Sequence, residues 1–258
     1  MKAFRYAIVL VVPLLLAGGA QASDGSRGPS EALLLEDNFG GFVEAQPDLL
    51  HYRRGLEAYH DGDAARAHRH FRIAARYADK PSQALVAQMY WDGIGVAQDR
   101  ALAYAWADLA AERGNADLLA LRERYWEGLD EAGRADALAR GKQVYAQYGD
   151  DVAKRRIEWV LRRKKNQVAG SRTGYTGNAT VLASVPGSAT AAADGPGPAD
   201  VPPLRAMAAA RFYDPTYWEP HRRFAWRERQ WERELRAARA GTARVGELQP
   251  LGRDSSPD

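Results

Sequence analysis

The feature that most constrains this chain is a helical spacing of apolar residues that recurs in register with itself. Between residues 48 and 165 it appears in Leu49-Leu50-Tyr52-Leu56-Tyr59, in Ala64-Ala67-Phe71-Ala74-Ala75 and in Leu85-Met89-Tyr90. It continues in Leu102-Trp106-Leu109-Ala110, in Leu118-Leu121-Tyr125-Trp126 and in Leu138-Val144-Tyr145-Tyr148. Stop and cap residues separate these runs, at Gly62-Asp63, Lys80-Pro81-Ser82, Gly93 to Asp99, Gly114-Asn115, Gly128 to Gly133 and Gly149-Asp150. The pattern predicts three antiparallel helix pairs. Asp150-Asp151 is placed to cap a seventh helix running to about Lys165, with Val152, Ile157, Val160 and Leu161 on one side.

The pairs are related to one another. Aligning Tyr59-x-x-Gly62 with Tyr90-x-x-Gly93 brings Phe71-x-x-x-Ala75 onto Trp106-x-x-x-Ala110 once four residues are inserted after the glycine of the second unit. A weaker third copy starts at Ala116, with Tyr125 or Trp126 ahead of Gly128. Helix pairs repeating with a period in the thirties predict an all-α fold, a short helical-repeat solenoid in which each pair buries its face against its neighbours. The aromatics Tyr59, Phe71, Tyr90, Trp106 and Tyr125 hold matching positions and are expected to pack.

The second unit resembles a Sel1-like repeat, a relative of the tetratricopeptide repeat with a longer loop between its helices. The resemblance is carried by Ala84, Tyr90-x-x-Gly93-x-Gly95-Val96-x-x-Asp99, Ala103-x-x-Trp106, Ala110-Ala111 and Gly114. The first unit lacks the four-residue insertion and is similar to the plain tetratricopeptide form; the third has no Gly-x-Gly-Val and is a divergent or capping pair. The resemblance covers about residues 47 to 148. It implies a non-catalytic adaptor whose groove binds a protein or peptide, with side chains of the first helix of each pair facing that groove. On the body this places His51, Arg54, Glu57, Gln83, Val86 and Gln88 as partner-binding candidates.

Residues 1 to 22 have Lys2 and Arg5 ahead of the apolar run Ala7 to Ala17, then Ala20-Gln21-Ala22, a small-x-small cleavage site. An export leader is expected, with the mature chain starting near Ser23 in the periplasm or secreted, and no stable transmembrane anchor. No cysteine occurs, so neither a disulfide nor a lipid on an N-terminal cysteine is available. Residues 23 to 150 carry a net charge of −6 and residues 151 to 258 one of +7, acidic in front and basic behind. Nucleic acid is not expected as a partner of an exported chain.

After the lead-in (23–46) and the solenoid with its cap helix (47–165), residues 166 to 204 are rich in Gly, Ala, Ser, Thr and Pro and are read as a disordered linker with one short strand between Tyr175 and Val185. The tail, 205–258, concentrates aromatics and arginines between Arg211 and Gly241. Pro220 suits a first helical turn, and an exposed helix from His221 to Ala240 is expected, with Phe224, Trp231, Leu235 and Ala238 along one seam. Exposed Trp and Arg together suit interface anchors, so Trp218, Phe224 and Trp231 join the partner-binding candidates. Three uses of the tail compete: docking on the chain's own acidic solenoid, binding a separate protein, or contacting an anionic membrane surface.

Catalytic and metal chemistry find little footing. His51, His60, His68, His70 and His221 lack metal-ligand spacing, and His68 and His70, two apart on a helix, point to different sides. Glu36-Asp37, Asp130-Glu131 and Asp150-Asp151 sit at expected helix ends, where capping accounts for them. Neither a catalytic residue, a metal nor a cofactor is assigned. A cell-wall or sugar hydrolase is a competing class, as is a module for envelope glycan or membrane surface. Hydrolase activity credited to some relatives of the repeat goes with cysteine-rich copies, which this chain lacks.

Overall fold

The structure is a computed structural model and describes residues 41–169, 180–184 and 204–243. Residues 1–40, with the leader and most of the lead-in, lie outside the described residues, as do 170–179, 185–203 and 244–258. The described part is mostly helical: α1 (Pro47–His60), α2 (Ala64–Ala75), α3 (Lys80–Asp92), α4 (Arg100–Ala110), α5 (Ala116–Glu127), α6 (Glu131–Tyr148) and α7 (Asp150–Ala169). A two-stranded antiparallel sheet follows, β1 (Thr180–Ser184) against β2 (Leu204–Ala208), then α8 (Ala209–Phe212), α9 (Pro215–Trp218) and α10 (Pro220–Ala243). The described residues fall into two compact units, one ending at Glu228 and one beginning at Arg229. In the second unit Trp231 and Leu235 are buried one helical turn apart.

Cap chemistry sets the helix starts. Asp63, Asp79, Asp99, Asn115 and Asp130 each accept a hydrogen bond from a backbone N–H in the first turn of α2, α3, α4, α5 and α6. Pro81 lies inside the first turn of α3, where its missing N–H costs nothing, so the chain break falls at residues 76 to 79, just before the Lys80-Pro81-Ser82 run. Gly93 ends α3 in the left-handed region at φ 71°, and Gly95 sits at φ 70°. A Cβ on Gly95 would stand 2.4 Å from the carbonyl carbon of Ala64, so only glycine lets this loop lie against the start of α2. Val96 is only partly buried, while Trp106, Ala110 and Ala111 are buried.

Helices α1 and α2 pack together, as do α3 and α4, and α2 meets α3. The third expected pair behaves differently: α6 packs on α4, and its contact with α5 is slight. Trp106 of α4 is the reason. Its ring lies 4.5 Å from that of Tyr148, and Tyr145 Oη donates to the Asp108 carbonyl at 3.1 Å. The buried seam of α6 is accordingly Ala137, Val144 and Tyr148, and Leu138, which the sequence places in that seam, points outward at 57 % exposure. On α5, Tyr125 stacks on Trp91 of α3, centroids 4.1 Å apart and rings 6° from parallel.

A further core lies where the lead-in, α7 and the segment 204–228 meet. Phe42, Val43, Ala45 and Leu49 join Ala153, Ile157 and Leu161 of α7 and Met207, Phe212, Tyr213, Trp218, Phe224 and Trp226. Phe42 makes edge-to-face contacts with Phe212, Tyr217 and Trp218, and Trp218 Nε1 donates to the Phe212 carbonyl at 2.7 Å. Val181, opposite Met207 in the strand register, lies against the same cluster. The expected exposure of Trp218 and Phe224 is therefore corrected. The sequence offers no core beside the linker, but Phe42 and one edge of α7 supply it.

Candidate functional site

Three arrangements of polar side chains stand out in the first unit. The first fastens the segment 204–228 to the helical body. Arg223, 0 % exposed, donates from Nε to Gln46 Oε1 at 2.8 Å and from Nη2 to the Asp48 carboxylate, itself 1 % exposed. One turn further along α10, Arg227 donates from Nε to Asp79 Oδ1 at 2.9 Å and places its guanidinium 4.7 Å from the centre of the Tyr52 ring. Gln46 is the N-cap position of α1, Asp48 lies in its first turn and Asp79 caps α3. The two arginines thus reach carboxylates held at helix N-termini, where the peptide dipoles already favour negative charge.

The second is a buried ionic network around the start of α7. Asp150 Oδ2 accepts from Arg113 Nε at 2.7 Å, and its other oxygen lies 3.1 Å from Lys80 Nζ. Lys80 also donates to Glu112 at 2.7 Å and to the Leu109 carbonyl at 2.9 Å. Arg113 reaches Glu228 at 2.9 Å and the Ala78 carbonyl at 3.1 Å. Burial pushes the Asp150 carboxyl up, but the Arg113 hydrogen bond and the Lys80 and Arg113 charges outweigh it and hold the group well below the usual carboxylate range. Burial pulls Lys80 down despite its acidic neighbours. A cleft of about 580 Å³ opens beside this network, lined by Lys154, Glu158, His221, Phe224 and Glu228 among others. Arg113 lies over the Phe224 ring at 4.6 Å and is engaged by Asp150, Glu228 and Ala78, so it serves the fold.

The third is a strip on α1 and α2. His51 Nδ1 and His70 Nδ1 are 3.0 Å apart, a hydrogen bond that requires one ring to donate and the other to accept. Both rings have their pKa lowered, first by burial; the His70 charge then adds for His51, and Arg54 for both. Arg54 and Glu57 are exposed on the same helix as His51.

The structure therefore leaves His51, Arg54 and Glu57 at the surface and adds His70 to them. It does not bring Gln83, Val86 and Gln88 to an open face, because α3 is buried continuously from Lys80 to Met89. Gln83 Nε2 instead ties the Ala75 and Tyr148 carbonyls at 3.2 and 3.3 Å. Trp218 and Phe224 are in the core, and Trp231, in the second unit, is buried. His68 is buried with its ring edge-to-face on Tyr90 at 5.0 Å, away from His70. The sequence does not single out Arg223, Arg227, Asp79 or Arg113. A buried arginine leaves no mark on apolar periodicity, and an N-cap aspartate is already explained by its cap.

Among the described residues no three His, Cys, Asp or Glu are grouped so as to hold a metal ion, and no helix is long and apolar enough to cross a membrane. No family model, curated protein or solved structure matches the chain.

Proposed function

We propose that this chain is a non-catalytic adaptor of the Sel1-like, tetratricopeptide-related kind, a short helical-repeat solenoid that binds a protein or peptide partner in the cell envelope. Paired helices, left-handed glycines at 93 and 95, Asp99 capping α4 and Trp106 packed behind it support the repeat reading. The segment 204–228 is the self-docking element of the three uses considered for the tail, since Arg223 and Arg227 lie on Asp48 and Asp79. The partner surface is then the strip that this segment leaves uncovered.

The observation that carries the reading is the α1–α2 strip, where His51, Arg54, Glu57 and His70 converge at the surface of the first helix pair. Its test is charge reversal on that strip. Wild type and an Arg54→Glu/Glu57→Arg variant, matched for thermal stability, are used as baits in envelope extract, with a photo-crosslinker at His51. A partner crosslinked at His51 and retained by wild type but released by the variant supports the adaptor. Equal retention by both, or crosslinking to glycan alone, overturns it. Export is tested separately by sequencing the mature N-terminus, expected at Ser23.

A further inference from the structure

We propose that the outward face of α7 docks the protein on an anionic lipid surface. This face uses no residue of the partner strip on α1 and α2. Ala153, Ile157 and Leu161, four apart, turn one edge of α7 into the core, at 0, 0 and 1 % exposure. That edge is spent on folding. The opposite face carries Arg155, Trp159, Arg162 and Arg163, spaced by three and four so that they share one stripe, while Lys164 extends past the core edge at the end of the helix. All five are exposed, and Trp159 is 61 % exposed although it is the largest side chain on the helix.

An exposed tryptophan amid cations has two common uses, and the surroundings separate them. Trp and Arg together also suit a protein hot spot, but there the aromatic fills a packed pocket within a rim of contacts that keep water out, whereas Trp159 stands 61 % exposed on an open helix face. Here Trp159 is flanked by guanidinium groups, with Arg163 5.4 Å from its ring centre. A lipid headgroup layer needs no such rim: the indole seats at the interface, and arginines on either side meet lipid phosphates. Two acidic groups lie near the stripe on the helix, Asp151 one turn before Arg155 and Glu158, which pairs with Arg162 at 2.5 Å; residues 151–165 still carry seven Lys and Arg against these two acids, so the helix stays net positive. Lys154 lies off the stripe, held by the buried Asp150 at 3.2 Å. Because α7 already buries its apolar edge, the contact is electrostatic with a single aromatic anchor. It is therefore reversible and salt-sensitive.

The test is flotation of the full chain with vesicles of phosphatidylcholine alone and with phosphatidylglycerol added, at low and high salt. Three proteins are compared: wild type, Arg155→Gln/Arg162→Gln/Arg163→Gln, and a control that removes three exposed charges elsewhere, Arg69→Gln/Arg124→Gln/Lys142→Gln. The apolar stretch Ala7 to Ala17 is common to all three, and uncharged vesicles measure its background. Wild type is expected to prefer the anionic vesicles. The stripe variant should lose about five-fold in partitioning per charge removed, roughly a hundred-fold in all, and the control far less. Brominated lipid should quench wild-type fluorescence more than that of Trp159→Phe, which retains the other six tryptophans. Equal binding to both vesicle types, equal loss in stripe variant and control, or unchanged quenching in Trp159→Phe overturns the proposal. Capture of an acidic protein or a second copy through the stripe, without vesicle binding, overturns it as well.

Discussion

Replacing Arg223 by alanine is the most direct perturbation of how segment 204–228 is held. The guanidinium is wholly buried, and its partners Asp48 and Gln46 are buried with it at 1 and 0 % exposure. Removing the cation leaves a desolvated carboxylate without its counter-charge, a change that typically costs 3–5 kcal/mol, and it strands the Gln46 oxygen as well. For a unit of 150–250 residues, each kcal/mol moves Tm by roughly 2–4 °C, so Arg223→Ala is expected to lower Tm by about 6–20 °C. The decisive comparison is the double variant Arg223→Met/Asp48→Leu. Arg223 Nη1, Asp48 Oδ1 and Gln46 Nε2 make no hydrogen bond among the described residues, so the pair is incompletely satisfied. Replacing both charges with apolar groups should then recover most of the loss. Thermal unfolding followed by circular dichroism, with Asp48→Leu alone completing the cycle, reads the coupling. If Arg223→Ala shifts Tm by less than about 2 °C, or the double variant loses the sum of the singles, the ionic clamp is not what fastens this segment.

Other contacts of the fold give five further outcomes. Burial, with Arg72 and Arg69 adding to it, brings the His68 pKa down to about 4 from 6.5. The unfolded chain takes up a proton there before the fold does, so stability is full above pH 6.5 and falls by at most about 3 kcal/mol as pH drops toward 4; the Tm of His68→Gln between pH 7.5 and 5 should fall less than that of wild type. Asp150→Asn should cost roughly 3 kcal/mol at pH 7 in a denaturant titration. Since the native Asp150 carboxyl is held below its ordinary range, that difference should shrink as pH drops below 4. Gly95→Ala, which drives a Cβ into the Ala64 backbone at φ 70°, should destabilise by about 2–5 kcal/mol. Gly93→Ala, whose nearest neighbour is the Gln98 side chain at 3.3 Å, should cost closer to 1–2 kcal/mol in the same melt. Ending the chain just before Leu204 should uncover Phe42, Ile157 and Leu161 and be seen as increased binding of a hydrophobic dye; a truncated chain with unchanged dye binding would show that segment 204–228 does not complete that core.

The helices from Pro47 to Tyr148 were legible because their buried residues recur every three or four positions and their ends carry cap residues such as Asp63, Asp99 and Asn115. Where a large side chain redirects packing, the pattern misleads. Trp106 draws Tyr148 onto α4, which turns Leu138 outward and loosens the expected third pair. Burial on every side was equally hard to see: α3 has the polar Gln83 and Gln88 where an open groove would want them, yet α2, α4 and the neighbouring chain cover them. Of the candidate site, the α1 positions were legible because His51, Arg54 and Glu57 recur every three residues along α1, each one position before the buried Tyr52, Gly55 and Ala58. His70 joins them only through a contact 19 residues away, which one helix's periodicity does not contain.

The charge asymmetry between the two parts of the chain was visible in the sequence, yet its meaning lies in where the charges sit. Asp48, Asp79 and Asp150 each stand at a helix N-terminus, and each also meets an arginine from a distant part of the chain. A carboxylate in that place is stabilised twice, by the helix dipole on one side and by a guanidinium on the other, and it separates two positive ends that would otherwise repel. One acidic residue thus both starts a helix and receives the chain that closes over it. Capping accounted for Asp150 in the sequence, and Asp48 and Asp79 carried no mark that called for a partner. The excess of arginine after residue 204 was the signal that partners were needed. Arg155, Arg162 and Arg163 on α7 meet no such helix terminus, unlike Arg223 and Arg227 of α10, and the proposed contact with anionic lipid gives their exposed face a counter-charge instead.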